Sequence, residues 1–267
     1  MENILKKIVE KKKSRIIQLK KDYPINNILK NIKSTDVYVD FKKKIKKRVA
    51  EKKVSVIAEI KQASPSAGLL VENFNHINIA KKYFDNGAPF LSVLTEEYFF
   101  LGKLEHISEI KKNIQIPILC KDFFIDPYQV ALSKSFGADC ILIILSAVDK
   151  VLAKDLYQAA SDLNISTLVE VHNEKESEIA LAFDKSLIGI NNRNLKTLEI
   201  SLDTTLKLSK ILASHENPLI CESGIHSIED MKFILEKTEI FNFLIGESLL
   251  TGDDIGAKLK EFMQISV

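Results

Sequence analysis

Apolar residues change their period near Val54. Ahead of it they recur at helical spacing. Ile4, Leu5, Ile8, Val9, Ile16 and Ile17 form one stripe, with lysines filling the opposite face. Pro24 and Asn26–Asn27 break that pattern. A second stripe, Phe41, Ile45 and Val49, follows two candidate caps, Asp36 and Asp40. Both stripes need a surface to pack on, so residues 1–53 read as a helical extension of a larger body at 54–267, together a single domain. Beyond Val54, short apolar runs alternate with helical stretches. Strands are predicted at Val54–Ile60, Pro89–Leu94, Pro117–Cys120, Cys140–Leu145, Ser166–Val171, Leu187–Ile190, Pro218–Cys221 and Phe241–Ile245. Helices are predicted at Ile77–Asn86, Leu104–Lys112, Pro127–Phe136, Lys150–Leu163, Glu174–Phe183, Leu202–Leu212, Ile228–Glu236 and Asp254–Phe262. Such alternation implies parallel strands joined by right-handed crossovers. Its count and spacing favour an α/β fold, a closed (β/α)8 TIM barrel, over an open doubly wound sheet; no GxGxxG follows the first strand.

Composition changes this picture little. The 267 residues suit one barrel, and a hydrophobic fraction of 46% supplies a core. No apolar run reaches the ~18–20 residues of a membrane span. Met1–Lys21 lacks the unbroken apolar core of a secretory signal. Cys120, Cys140 and Cys221 lie in apolar runs and do not suggest disulfides. A cytoplasmic location is expected, without a membrane partner. Charge is uneven. Residues 1–53 hold 18 basic and 6 acidic side chains, net +12; the remainder holds 20 basic and 30 acidic, net −10. The split fits either a nucleic-acid arm or a solvated helical cap beside an anionic ligand. Abundant Lys, Ile and Asn throughout weaken the first reading. No nucleic-acid motif or interleaved aromatics appear in this segment.

Barrel chemistry sits where strands end. In Val54–Lys61, Ser55, Ile57, Glu59 and Lys61 share the face that points into the barrel, while Val54, Val56, Ala58 and Ile60 suit the helix layer. The other strand ends bring Lys121, Glu170, Asn191 with Arg193, and Glu222. A single charge there would serve as a structural ion pair. Six charges converging on one rim would each cost several kcal/mol to bury unless well paired. Mutual perturbation would make them acids and bases. Small residues follow three of the strands: Ser64-Pro65-Ser66-Ala67-Gly68, Ser223-Gly224 and Gly246-Glu247-Ser248. Loops after the last two strands of a barrel often hold a phosphate through backbone N–H groups. Glu247 opposes an anion unless its side chain turns away. Phe99, Phe100 and Phe123 are core residues or the walls of a pocket for a flat ring. The five histidines lack metal-ligand spacing. Cys120 and Cys221 should face the helix layer as inert thiols.

Several of these segments together resemble indole-3-glycerol-phosphate synthases. They are Ala58-Glu59-Ile60-Lys61-Gln62-Ala63-Ser64-Pro65-Ser66, Leu91–Glu96, Cys120-Lys121-Asp122-Phe123, Leu168-Val169-Glu170-Val171, Gly189–Leu195, Glu222-Ser223-Gly224-Ile225 and Leu244–Ser248. Ala67 and Thr251 depart from the family pattern, where lysine and arginine are common. The resemblance implies ring closure, decarboxylation and dehydration of 1-(2-carboxyphenylamino)-1-deoxyribulose 5-phosphate. The product is indole-3-glycerol phosphate for tryptophan synthesis, with no cofactor and no metal. It also implies roles. Lys121 is the acid, its pKa lowered among cations and apolar walls. Lys61 grips the carboxylate and assists loss of the hydroxyl. Glu170 is the dehydration base, Glu59 orients both lysines, and Asn191 and Glu222 assist. Arg193 supports the carboxylate. Ser64, Ser223, Gly224, Gly246, Glu247 and Ser248 hold the phosphate, and Phe100 and Phe123 flank the ring. The N-terminal helices act as a lid. A phosphoribosylanthranilate isomerase would need a Cys/Asp pair at strand ends one and six, where Glu59/Lys61 and Asn191/Arg193 stand. The expected partner is a phosphorylated small molecule, not nucleic acid; a monomer is the expected state, a dimer the alternative.

Overall fold

A computed structural model describes residues 4–32, 39–195, 197–252 and 254–265. Eight parallel strands close into a barrel: β1 (Ser55–Ile60), β2 (Phe90–Leu94), β3 (Ile118–Lys121), β4 (Cys140–Ile144), β5 (Ser166–Val171), β6 (Leu187–Asn191), β7 (Leu219–Glu222) and β8 (Asn242–Ile245). Each neighbour in the chain is a neighbour in the sheet, and β1 closes on β8 with Ser55 opposite Asn242 and Ala58 opposite Ile245. The fold is the (β/α)8 TIM barrel expected from the alternating pattern. Outside it run α4 (His76–Asp85), α5 (Glu105–Asn113), α6 (Tyr128–Ser135), α7 (Lys150–Asp162), α8 (Glu174–Ala180), α9 (Asp203–Ile211), α10 (Ile228–Thr238) and α12 (Ile255–Met263). Asn75, Asp149, Asn173, Ser227 and Asp254 start five of these helices by accepting backbone N–H groups of the first turn. No helix among the described residues is long and apolar enough to cross a membrane.

Three helices precede the barrel: α1 (Ile4–Asp22), α2 (Ile25–Ile32) and α3 (Phe41–Ala50). The break at Pro24 is real, but Asn26 and Asn27 lie inside α2, a helix the sequence pattern did not reveal. Pro24 opens it, its carbonyl accepting the N–H groups of Asn27 at 2.9 Å and Ile28 at 3.2 Å; a missing N–H costs nothing at a helix start. Asp40 caps α3 as expected, accepting Lys43 N–H at 2.9 Å. Asp36 lies outside the described residues.

The α3 helix closes the amino-terminal end of the barrel. Phe41 and Ile45 are fully buried in the main core, and Phe41 packs on Phe90 at 4.6 Å between ring centroids. Burying such a side chain stabilises by roughly 1.5–3 kcal/mol. Its basic residues satisfy chain ends there: Lys42 donates to the carbonyl of Lys185 at 2.7 Å, Lys44 to that of Pro89 at 3.0 Å, and Arg48 to that of Val54 at 2.5 Å. At the other end, α1 and α2 build a second core with α6 from Ile16, Leu19, Ile28, Tyr128, Ala131 and Leu132. Here the stripe read from hydrophobicity is corrected. Ile17 is 63% exposed, whereas Lys12 is buried among Ile8, Ile16 and Leu19. The reason is electrostatic: Lys12 Nζ pairs with the equally buried Asp122 at 2.7 Å. Arg15 to Glu97 at 2.7 Å and Lys20 to Asp126 at 2.6 Å continue the seam. Ile4, Leu5 and Ile8 of α1 then reach the mouth of the barrel.

Candidate active site

One cavity opens at the carboxyl ends of the strands, and every residue given a catalytic or binding role lines it, whereas Phe99 does not. Glu59, Lys61, Lys121, Glu170, Asn191 and Glu222 are there, with Ser64, Phe100, Phe123, Arg193, Ser223, Gly224, Gly246, Glu247 and Ser248. Period-two alternation explains the convergence, because each strand turns its last inward residue to the same rim. The cavity also takes walls that sequence reasoning did not name. These are Ile4, Leu5 and Ile8 from α1 and Leu195, Leu198 and Ile200 from the loop after β6.

The charges form two connected groups. Glu59 Oε1 accepts Lys61 Nζ at 2.7 Å. Across the mouth, Lys121 Nζ donates to Glu170 Oε2 at 2.9 Å and to Glu222 Oε2 at 2.7 Å. Glu170 and Glu222 are almost fully buried, at 2% and 1% exposure. The expectation of a lowered Lys121 pKa is wrong. Burial alone would lower it, but Glu170, Glu222 and Glu59 outweigh burial and hold the ammonium well above its ordinary value. The two carboxylates diverge. Burial raises Glu222, and the neighbouring Glu170 adds to this against the pull of Lys121. Burial would raise Glu170 too, but Lys121 and His172 hold it below the carboxylate range.

Close approach explains two glycines. A Cβ on Gly189, mid-strand in β6, would sit 1.9 Å from Oε1 of Glu222. A Cβ on Gly246 would sit 2.4 Å from Oε1 of Glu59 and 3.0 Å from Nζ of Lys61. Gly246 was singled out as a phosphate residue, yet a side chain there would first disturb the Glu59–Lys61 pair. Ser223 and Gly224 are consecutive left-handed residues, with φ of 65° and 82°. Such a turn aims successive backbone N–H groups at one point. Ser248 ties this turn to the next loop by donating from Oγ to the Ile225 carbonyl at 2.7 Å. Gly246 leads into α11 (Glu247–Leu250), a short helix absent from the sequence pattern. The Glu247 carboxylate lies 3.6 Å from Arg193 Nη2, which offsets its charge, and is 40% exposed. Ser64 belongs to a second unanticipated feature, a two-residue ribbon in which 63–64 pair with 68–69.

Supporting residues were less visible in the sequence. Buried Asn192 donates from Nδ2 to the Ser223 carbonyl at 3.0 Å and accepts Thr205 Oγ1 at 2.8 Å, fixing the β7 turn against α9. Fully buried Glu96 accepts the N–H groups of Tyr98, Phe99 and Phe100 at 3.1, 2.6 and 3.1 Å, which sets Phe100 6.2 Å from Phe123. His172 lies beside Glu170. Cys120 and Cys221 face the helices as expected, bonding to Ser133 and Thr205; burial pushes their thiols up to about 12 and about 11, so both are inert.

A closed barrel with paired acids and ammonium groups buried at one rim, beside a glycine-serine turn, has the layout of a (β/α)8 enzyme with its candidate site at the carboxyl ends of the strands. The family model for indole-3-glycerol phosphate synthase matches residues 5–262, and the chain belongs to that family. The indole-3-glycerol phosphate synthase of Polaromonas naphthalenivorans is 42% identical over 262 residues, covering 98% of each chain. That of Desulforamulus reducens is 41% identical and covers 97% of each. Among solved structures, the tryptophan synthase alpha chain of Legionella pneumophila superposes with a TM-score of 0.61 at 12% identity, over 83% of this chain and 95% of that one. That likeness is one of fold. The chain is accordingly a carboxy-lyase of tryptophan biosynthesis.

Proposed function

We propose that this cavity takes 1-(2-carboxyphenylamino)-1-deoxyribulose 5-phosphate and that the residues lining it divide the three steps as follows. The observation that carries the reading is the Lys121 ammonium held between Glu170 and Glu222, opposite the Glu59–Lys61 pair. The phosphate seats against Ser64, the Ser223–Gly224 turn and the Gly246–Ser248 segment. The aromatic ring lies between Phe100, Phe123 and the apolar wall of the β6 loop. Lys61 and Arg193 meet the carboxylate and keep the chain bent for attack.

In the first step the ring carbon bearing the carboxylate attacks the ketone carbon, and Lys121 gives its proton to the ketone oxygen. An alkoxide is a stronger base than an amine, so the transfer is downhill even from an ammonium with a raised pKa. Charge, not a depressed pKa, is what the surrounding carboxylates provide. Carbon dioxide then leaves, and the electron pair of the broken bond restores aromaticity. In the third step Glu170 takes a proton from the new ring while the hydroxyl leaves as water with a proton from Lys61. Glu59 aims Lys61, Glu222 and Asn191 hold Lys121 and the sugar hydroxyls, and α1 excludes water.

A monomer is the proposed working unit, since the groups assigned to the phosphate, the ring and the proton transfers all lie within a single chain. The three free, buried cysteines suit the cytoplasm. The reading is tested by following indole fluorescence on incubation with the substrate, undisturbed because the chain has no tryptophan. Lys121→Ala is expected to lose on the order of 10³-fold or more in kcat with an unchanged fold; near-normal kcat would refute its role as the acid.

A further inference from the structure

Beyond the cavity wall, the rim continues into a chain of alternating charges. Lys121 meets Glu170 Oε2 at 2.9 Å; Glu170 Oε1 lies 3.2 Å from Nε2 of His172; Nδ1 of His172 lies 3.1 Å from Oε2 of Glu176. Glu176 sits in the first turn of α8, and its carboxylate also accepts the His172 backbone N–H at 2.8 Å and Asn173 Nδ2 at 2.6 Å. The imidazole is therefore fixed at one nitrogen, and its other nitrogen faces a group in the cavity. Nε2 is buried and makes no hydrogen bond, with Glu170 Oε1 its facing group at 3.2 Å. His172 itself does not line the cavity.

We infer that His172, anchored by Glu176, is a positioning residue that keeps Glu170 ionised while Lys121 is without its proton. The inference rests on the reading of Glu170 as the dehydration base. Two carboxylates, one facing each ring nitrogen, can both be served only by a doubly protonated ring, since an ionised carboxylate accepts and cannot donate. At the rim Arg193 is matched by Glu247, which leaves three carboxylates, Glu59, Glu170 and Glu222, facing two ammonium groups, Lys61 and Lys121. Once Lys121 has protonated the ketone oxygen, Glu170 loses its nearest cation, with Glu222 still beside it. Without another positive charge Glu170 would lose its advantage over Glu222 and share any proton the pair takes up, and a protonated Glu170 is useless as a base in the step that follows. The imidazolium supplies that charge, and Glu176 balances it from behind. Burial opposes the charge on the ring, but Glu170 and Glu176 outweigh it and push His172 up to about 9. The charged groups facing Glu170 are thus Lys121 from β3, Glu222 from β7 and His172; those facing His172 are Glu170 from β5 and Glu176 from α8.

The test is the pH profile of kcat for the full chain, wild type against His172→Gln, Glu176→Gln and Glu170→Gln, each checked for native circular dichroism. His172→Gln is expected to move the acid limb up by about one pH unit, a roughly tenfold loss at the foot of the limb, with KM within twofold and recovery toward wild-type kcat at alkaline pH. Glu176→Gln should shift it the same way by less. A merely structural role would lower kcat evenly and leave the limb in place. His172→Gln and wild type superimposing, with Glu170→Gln inactive, would overturn the inference alone. An active Glu170→Gln would overturn the reading of Glu170 and the inference with it. Should His172→Gln fail to fold, nitrogen-15 NMR of the wild-type ring decides: both nitrogens protonated at pH 7.5 supports the inference, and a neutral ring there overturns it.

Discussion

Several side chains at the rim are held by what their neighbours lack. Glu222 keeps its place beside Lys121 because Gly189 has no Cβ, which would otherwise lie 1.9 Å from Oε1. The clash falls on the tip of a flexible side chain and not on backbone. Gly189→Ala should therefore leave stability within about 1 kcal/mol of wild type, partly because a restricted unfolded chain offsets local strain. Turnover should behave differently, because the carboxylate that moves is the one gripping Lys121. A displacement of about 1 Å there is expected to lower kcat on the order of 10²-fold. Urea unfolding and steady-state kinetics on the same preparation would separate the two effects, and wild-type kcat in Gly189→Ala would count against this account of Glu222. The charged residues of the site were legible in the sequence because they end apolar strands and stand out against them. The small residues that follow strands were legible too, but Gly189 within β6 and the residues that shape the site by accepting a bond were not. Asn192 and Glu96 reveal themselves only by bonds to distant segments, and the raised pKa of Lys121 depends on which carboxylates reach it.

Among the elements, the strands follow the sequence pattern to within a residue or two at each end, since a parallel barrel strand is a bounded apolar run whose period shows. The N-terminal helices follow it less well. Hydrophobicity puts Ile17 in the buried stripe of α1 and Lys12 in the polar face, and the fold reverses both. No periodicity argument can see a lysine whose partner, Asp122, lies on a strand end far along the chain. The pair is only 3% and 7% exposed, so its energetics are those of a buried ion pair. Lys12→Met would leave the Asp122 carboxylate buried beside the Thr95 hydroxyl, which donates to it at 2.7 Å, and the Phe123 N–H at 2.7 Å. Those two bonds soften the loss, and a cost near the lower end of the usual 3–5 kcal/mol is expected. Lys12→Met with Asp122→Asn should recover part of it, because no full charge remains buried. Urea denaturation of the two variants checks the order, and a Lys12→Met protein as stable as wild type would refute the assignment. Asp122 follows Lys121 directly, so the pair also ties the position of α1 over the cavity to the strand end that carries the proposed acid.

For the whole molecule, the question is why a chain of net charge +2 gathers +12 in its first 53 residues. The fold engages several of those basic side chains within the chain itself. Lys12, Arg15 and Lys20 meet acidic groups of the barrel, and Lys42, Lys44 and Arg48 meet carbonyls at the amino-terminal ends of its strands. The extension is thus a two-ended clamp: α1 over the reacting end, α3 sealing the opposite one. In barrels of this kind one end carries chemistry and the other carries stability, and the two should be separable by mutation. Arg48 is the sharpest probe of the sealing end. Its guanidinium donates to the Val54 carbonyl and to Ser55 Oγ at 2.9 Å, at the start of β1, five and four residues before Glu59 in the same chain direction. Arg48→Met keeps much of the apolar packing and removes both bonds, so a loss of about 2 kcal/mol is expected. Because β1 remains paired along both edges, Glu59 should stay where it is, and kcat and KM measured well below the unfolding temperature should match wild type. A fall in kcat without a fall in stability would mean that the two ends communicate through β1, and that the sealing helix belongs to the catalytic apparatus after all.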